Sequence, residues 1–141
     1  FIPGTDLQTQ EARDRALGID AISLTFSVSS DEENVRLTLQ GDRHQIDLKV
    51  RSRHYLLLTL ARARVADQQQ DGLPVSEHGW LYQDDLCRML ALDSNAIYLQ
   101  IHRARRQLEA AGIARSADIV ERRSGSGQLR LGVAALDVRR A

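Results

Sequence analysis

Cysteine occurs once, as Cys87. Neither an intrachain disulfide framework nor a cysteine-rich zinc site can form, and such usage fits a reducing, cytoplasmic setting. Lysine also occurs once, as Lys49, so the other 18 basic residues are arginines. Net charge is zero, with 19 basic and 19 acidic residues. No global field therefore draws the chain to nucleic acid, and a case for that partner must rest on where the charges sit. No apolar run approaches the roughly 18 residues needed to cross a bilayer, and the start has no signal-peptide pattern, so no membrane partner is expected. Catalytic patterns are missing too. No two of His44, His54, His78 and His102 stand four residues apart, and none sits in an H-E-x-x-H pattern. Asp84 and Asp85 are neighbours on a helical stretch and point to different sides. Gly125-Ser126-Gly127 is short for a phosphate-binding loop and lacks its lysine. No enzyme, cofactor or metal is expected.

What remains is 141 residues with 43% apolar and 27% charged side chains, enough for one domain with a real core. The chain begins with Phe1 rather than Met, then Pro3-Gly4 and a polar stretch over 8–17 suited to a short helix. Residues 1–20 read as a linker from an upstream domain, leaving 21–141 as the domain proper. From Ile22 the apolar period becomes two. Ile22, Leu24, Phe26 and Val28 alternate with Ser23, Thr25 and Ser27; Val35, Leu37 and Leu39 follow suit, then Ile46, Leu48 and Val50. Alternation of this kind marks half-buried strands, and the breaks at 29–34 and 40–44 suit hairpin loops. A three-stranded antiparallel meander is expected.

The pattern then turns helical. Ser52 is a candidate cap for a helix through Tyr55, Leu56, Leu58, Leu60 and Ala63. Residues 67–79 form a polar loop, read as a surface insertion in preference to a partner contact. Trp80 and Tyr82 suit a very short strand, with Trp80 and Tyr55 assigned to the core. A second helix is expected over 83–92, and Cys87 on it reads as a small buried hydrophobe. Asp93-Ser94 supplies a break and a cap. A third helix spans 95–111 and stops at Gly112, a common helix terminator. Two extended runs, 119–123 and 128–133, are joined by Ser124-Gly125-Ser126-Gly127.

The third helix carries the most information. At 100° per residue, Ile97, Ile101, Ala104 and Leu108 form one stripe and must face the core. The opposite face holds Asn95, Leu99, His102, Arg103 and Arg106, flanked by Tyr98 and Arg105. Between Ser94 and Gly132 seven arginines stand against three acids, a local net of +4 in a chain whose total is zero. A helix fits the DNA major groove, where arginine pairs with guanine and asparagine with adenine. On its own, an arginine-rich helix face is more readily a solvated surface.

The run Ile97-Tyr98-Leu99-Gln100-Ile101-His102-Arg103-Ala104-Arg105-Arg106-Gln107-Leu108 is similar to V-D-V-H-I-x-R-L-R-x-K-L, the recognition-helix pattern of OmpR/PhoB-type effector domains. The segment from Arg123 to Arg130 resembles that family's R-G-x-G-Y-R wing with one extra residue, and Tyr55-Leu56-Leu57-Leu58 sits where the family's first helix carries E-F-x-L-L. The resemblance covers roughly residues 22–132. It departs from the pattern at Tyr98, where an acid is usual, and at Gln128-Leu129. The break at Asp93-Ser94 is also shorter than the family's loop between those helices.

The resemblance implies an α+β fold: a winged helix-turn-helix with a three-helix core, an N-terminal antiparallel sheet and a C-terminal β-hairpin wing. It implies a DNA-binding transcriptional regulator, with helix 94–111 in the major groove and wing 119–133 on the minor groove or backbone. Arg103 is then the first candidate for base contact, beside Asn95, Tyr98 and His102. Arg105 and Arg106 are assigned to phosphates, and Arg122, Arg123, Ser126 and Arg130 to contacts from the wing. The implied partners are double-stranded DNA and an upstream sensor or receiver domain in the same chain. A homodimer on paired half-sites is open, although no heptad is present. The alternative is a winged-helix protein–protein interaction module of a bacterial signalling protein that has no DNA binding.

Overall fold

The computed structural model describes residues 18–42 and 45–141. The helix expected over 8–17, and Arg43 and His44 of the 40–44 loop, lie outside them. Three strands come first: β1 (Ser23–Val28), β2 (Val35–Gln40) and β3 (Gln45–Val50). They pair antiparallel in sequence order. Each of β1 and β2 buries alternate residues as the period-two pattern requires. In β3 the alternation fails at its end. Thr38 pairs with Asp47 but Arg36 pairs with Val50, so one extra residue is inserted. Lys49 takes up that residue in the left-handed region, φ 66°. Such a bulge rotates the strand, and Val50, expected inside, is exposed.

A fourth strand, β7 (Ala135–Arg140), completes this sheet on the far side of β1, parallel to it, in the order β3-β2-β1-β7. The second sheet is antiparallel and small, β4 (Leu81–Tyr82), β6 (Gln128–Leu131) and β5 (Val120–Arg123), in the order β4-β6-β5. Gly125 and Gly127, both at positive φ, close the β5–β6 hairpin.

Helix α1 (His54–Gln68) lies between the sheets, touching β2 and β7 on one side and β6 on the other. Leu56, Leu57, Leu58, Leu60 and Ala61 are buried over more than half of its circumference, a wide apolar face suited to a helix covered from two sides. Ser52 does not cap it with its side chain. The first turn follows a backbone turn in which the Tyr55 N–H donates to the Ser52 carbonyl. At the other end α1 runs to Gln68, two residues into the segment expected as loop.

Helix α2 (Gln83–Leu90) ends two residues before the expected Leu92. Ala91 adopts a left-handed conformation, φ 55°, and the Leu92 N–H reaches back to the Cys87 carbonyl. This closure needs a positive φ rather than a glycine, which is why the boundary was not visible. The break is therefore Ala91-Leu92-Asp93, and Asp93 is the cap of α3 (Ser94–Ala110), accepting from the Ala96 N–H at 2.8 Å. The stripe Ile97, Ile101, Ala104 and Leu108 is buried as expected.

One continuous core joins both sheets and all three helices, with Phe26, Leu39, Leu56, Leu60, Leu86 and Ile97 fully buried. Cys87 and Tyr55 are half-buried against it. A helical turn, Ser116–Ile119, leads from α3 into β5. Gly132 closes on it: a Cβ there would lie 1.7 Å from the Asp118 carbonyl oxygen, while its N–H donates to the Ile119 carbonyl at 2.8 Å. The molecule is α+β with three α-helices and two sheets among the described residues.

Candidate nucleic-acid interface

α3 presents Asn95, Tyr98, Leu99, His102, Arg103 and Arg106 as exposed residues. Neither Arg103 nor Arg106 makes a hydrogen bond or ion pair among the described residues. Their charge is available. Arg105 is different. Its Nε donates to the Ala117 carbonyl at 2.9 Å and an NH2 hydrogen to the Val120 carbonyl at 3.1 Å. Burial pushes its pKa down from the usual guanidinium value. Arg105 thus ties α3 to the helical turn and β5, a different occupation from the phosphate contact expected for it.

The hairpin β5–β6 meets the start of α3 through Arg122. Its guanidinium lies 4.8 Å from the Tyr98 ring centroid, within cation–π range, and donates to Gln83 Oε1 at 3.2 Å. Tyr82, Gln83, Asp84, Tyr98, Arg122, Ser126 and Gly127 line the open depression between α2, α3 and the hairpin tip. Ser126 is occupied in the turn: its Oγ donates to the Arg123 carbonyl and accepts from the Gln128 N–H.

Arg123 and Arg130 are not free for a partner either. Trp80 is no core residue; it is partly exposed and flanked by these two guanidiniums, at 4.4 and 4.6 Å from its ring centroid. Arg123 also pairs with Glu77, and Arg130 with Glu121 at 2.8 Å. The carbonyl of Ser76 accepts from Trp80 Nε1, Arg123 and Arg130. Size and apolarity suit tryptophan to a core, but an indole face also attracts guanidinium cations, and two arrive from β5 and β6. The end of the 67–79 segment, with its helical turn Val75–Glu77, is thereby held against the hairpin. The rest of that segment is largely exposed.

On the other flank of α3 stands a polar network that the sequence did not suggest. Gln107 Nε2 donates to the Leu48 carbonyl at 2.9 Å, and Gln107 Oε1 accepts from Arg53 Nε at 3.0 Å. The fully buried His54 places Nδ1 3.0 Å from the Val35 carbonyl and Nε2 3.4 Å from Gln107 Oε1. Both ring nitrogens thus face acceptors, an arrangement that favours the imidazolium. Burial opposes it and prevails, holding the pKa below the usual histidine value. Arg53 is depressed as well, first by burial and then by the like charges of Arg51 and Arg103. Arg51-x-Arg53 was legible as a basic pair before a helix; its partner Gln107, 54 residues on, was not.

Among the described residues no three His, Cys, Asp or Glu side chains converge as a metal site, and no helix is long and apolar enough to cross a membrane. Compared with known proteins, the chain matches no family model, no curated protein and no solved structure.

Proposed function

We propose that the chain is a winged helix-turn-helix module that binds double-stranded DNA and regulates transcription, a binding domain and not an enzyme. The observation that carries this is the outer face of α3, where Arg103 and Arg106 stand exposed, without a partner among the described residues, beside Asn95 and His102. Three further features support it. A three-residue turn separates α2 from α3, a length common to helix-turn-helix units. The β5–β6 hairpin follows α3 and pairs with the strand that precedes α2, as a wing would. The 17 residues of α3 make a rod of roughly 25 Å, long enough to lie across the roughly 12 Å major groove.

In this arrangement Arg103 reads a base edge with Asn95, Tyr98 and His102 beside it, and Arg106 meets phosphate. Leu99 is 46% exposed on the same face and suits a thymine methyl group. Of the hairpin cations, Arg122 remains the one for the flanking groove. A regulator of this kind works in the cytoplasm of a bacterial cell under an upstream sensor or receiver domain.

Titration of labelled duplexes, random and selected, at 50 and 200 mM salt tests the reading. Expected is binding that weakens steeply with salt, and an Arg103→Ala variant that loses about 1–3 kcal/mol of base discrimination. No binding to any duplex at the lower salt refutes it. That result would favour a protein-interaction module, a reading supported by the commitment of Arg123 and Arg130 to Trp80.

A further inference from the structure

We propose that the turn from β3 into α1 is a second phosphate-binding element, in which Arg51 and Arg53 grip one strand of the duplex beside the groove where Arg103 reads a base. This rests on the DNA reading above and adds to it a surface outside α3 and the wing. The geometry starts at Gln107. Its carbonyl oxygen holds Arg53 Nε at 3.0 Å, which seats that guanidinium against α3 one turn beyond Arg103. Only Nε is used, so the terminal nitrogens of Arg53 keep their donors. Arg51 is exposed, and its side chain spends one donor on the adjacent Val50 carbonyl. Arg103 is exposed with no partner among the described residues.

No carboxylate pairs with these three cations among the described residues. The nearest acid in sequence, Asp47, is engaged by Arg36 and Lys49. The like charges of Arg51 and Arg103 bear on Arg53 where Gln107 seats it, and a phosphate at the turn converts that repulsion into charge-assisted bonds.

The opposite flank cannot supply an equivalent grip. Asp84 and Asp85 occupy the first turn of α2, where their charge turns phosphate away, and Arg123 and Arg130 are engaged around Trp80. Backbone contact beyond α3 and Arg122 therefore falls to the β3–α1 turn.

The test is the salt dependence of duplex binding for wild type, Arg51→Gln, the Arg51→Gln/Arg53→Gln double variant, and an Arg139→Gln/Arg140→Gln control on β7. Each phosphate contact contributes about 0.9 to the slope of log K against log salt. Expected is a slope shallower by about 0.9 for Arg51→Gln and about 1.8 for the double variant, with the ranking of duplex sequences unchanged and the control close to wild type. Among the described residues the Arg51 side chain hydrogen-bonds only to the adjacent Val50 carbonyl, so its variant should keep the wild-type melting temperature and separate a binding effect from a folding one. Wild-type binding with unchanged slopes in both variants overturns this proposal and leaves the DNA reading standing. Absence of wild-type binding at low salt overturns both.

Discussion

Replacing Gln107 by alanine should destabilise the fold far more than a polar residue on a helix flank would suggest. The side chain joins three elements. It donates to the Leu48 carbonyl of β3, accepts from Arg53 at the start of α1, and faces Nε2 of the buried His54. A neutral hydrogen bond contributes about 0.5–1.5 kcal/mol and one to a charged group about 1.5–3. The first two bonds therefore amount to about 2–4.5 kcal/mol. Both are half-buried, so water takes over part of each, and about 2 kcal/mol is the expected net loss. The contact to His54, at 3.4 Å, is too long to add much. For a domain of this size about 2 kcal/mol corresponds to a fall in melting temperature of roughly 6–12 °C. Thermal unfolding followed by circular dichroism, with urea titration to obtain the free energy, provides the check. A shift below about 2 °C would refute the reasoning, because it would mean that the Leu48 carbonyl and Arg53 find water as readily as they find Gln107.

Two further predictions follow from single positions. Gly132→Ala must displace the chain around Asp118, since the added Cβ would sit 1.7 Å from a backbone oxygen; overpacking of this kind costs about 1–3 kcal/mol or more, measurable by urea titration. The pKa of His54 is lowered by burial, so the unfolded chain takes up its proton first as pH falls below about 6.5. The associated stability is complete above that pH and is lost as pH drops toward the folded value. Urea midpoints should therefore decrease between pH 7.5 and pH 5.5, and a His54→Gln variant should lack that part of the decrease.

The parts of the fold that could be read from the sequence are those specified by local period. β1 and β2 alternate cleanly, and the buried stripe of α3 follows from spacing alone. What escaped notice depends on distant partners or on backbone geometry without a glycine signal. β7 offers just two inward apolar residues, Leu136 and Val138, too few for a period, and it forms because β1 has a free edge. The bulge at Lys49 and the left-handed Ala91 place non-glycine residues at positive φ, so neither the flip of Val50 nor the end of α2 could be read. For the candidate interface, the exposed face of α3 was legible. The fate of each arginine was not, because one guanidinium is indistinguishable from another until its neighbours are known. Arg105 finds the carbonyls of Ala117 and Val120, and Arg123 and Arg130 find Trp80, while Arg103 and Arg106 find nothing among the described residues.

The parallel pairing of β1 with β7 has a mechanical consequence. Ser23 lies opposite Ala135 and Val28 opposite Arg140, so the chain enters the pair at one end of the ladder and leaves at the other. Tension between the segment before β1 and the segment after β7 acts along the strands, in opposite directions. The six register pairs are then loaded together in shear, instead of parting one after another as in a zipper. Resistance to forced unfolding is a matter of rate, and this geometry places a cooperative clamp at the two points where a neighbouring domain would pull.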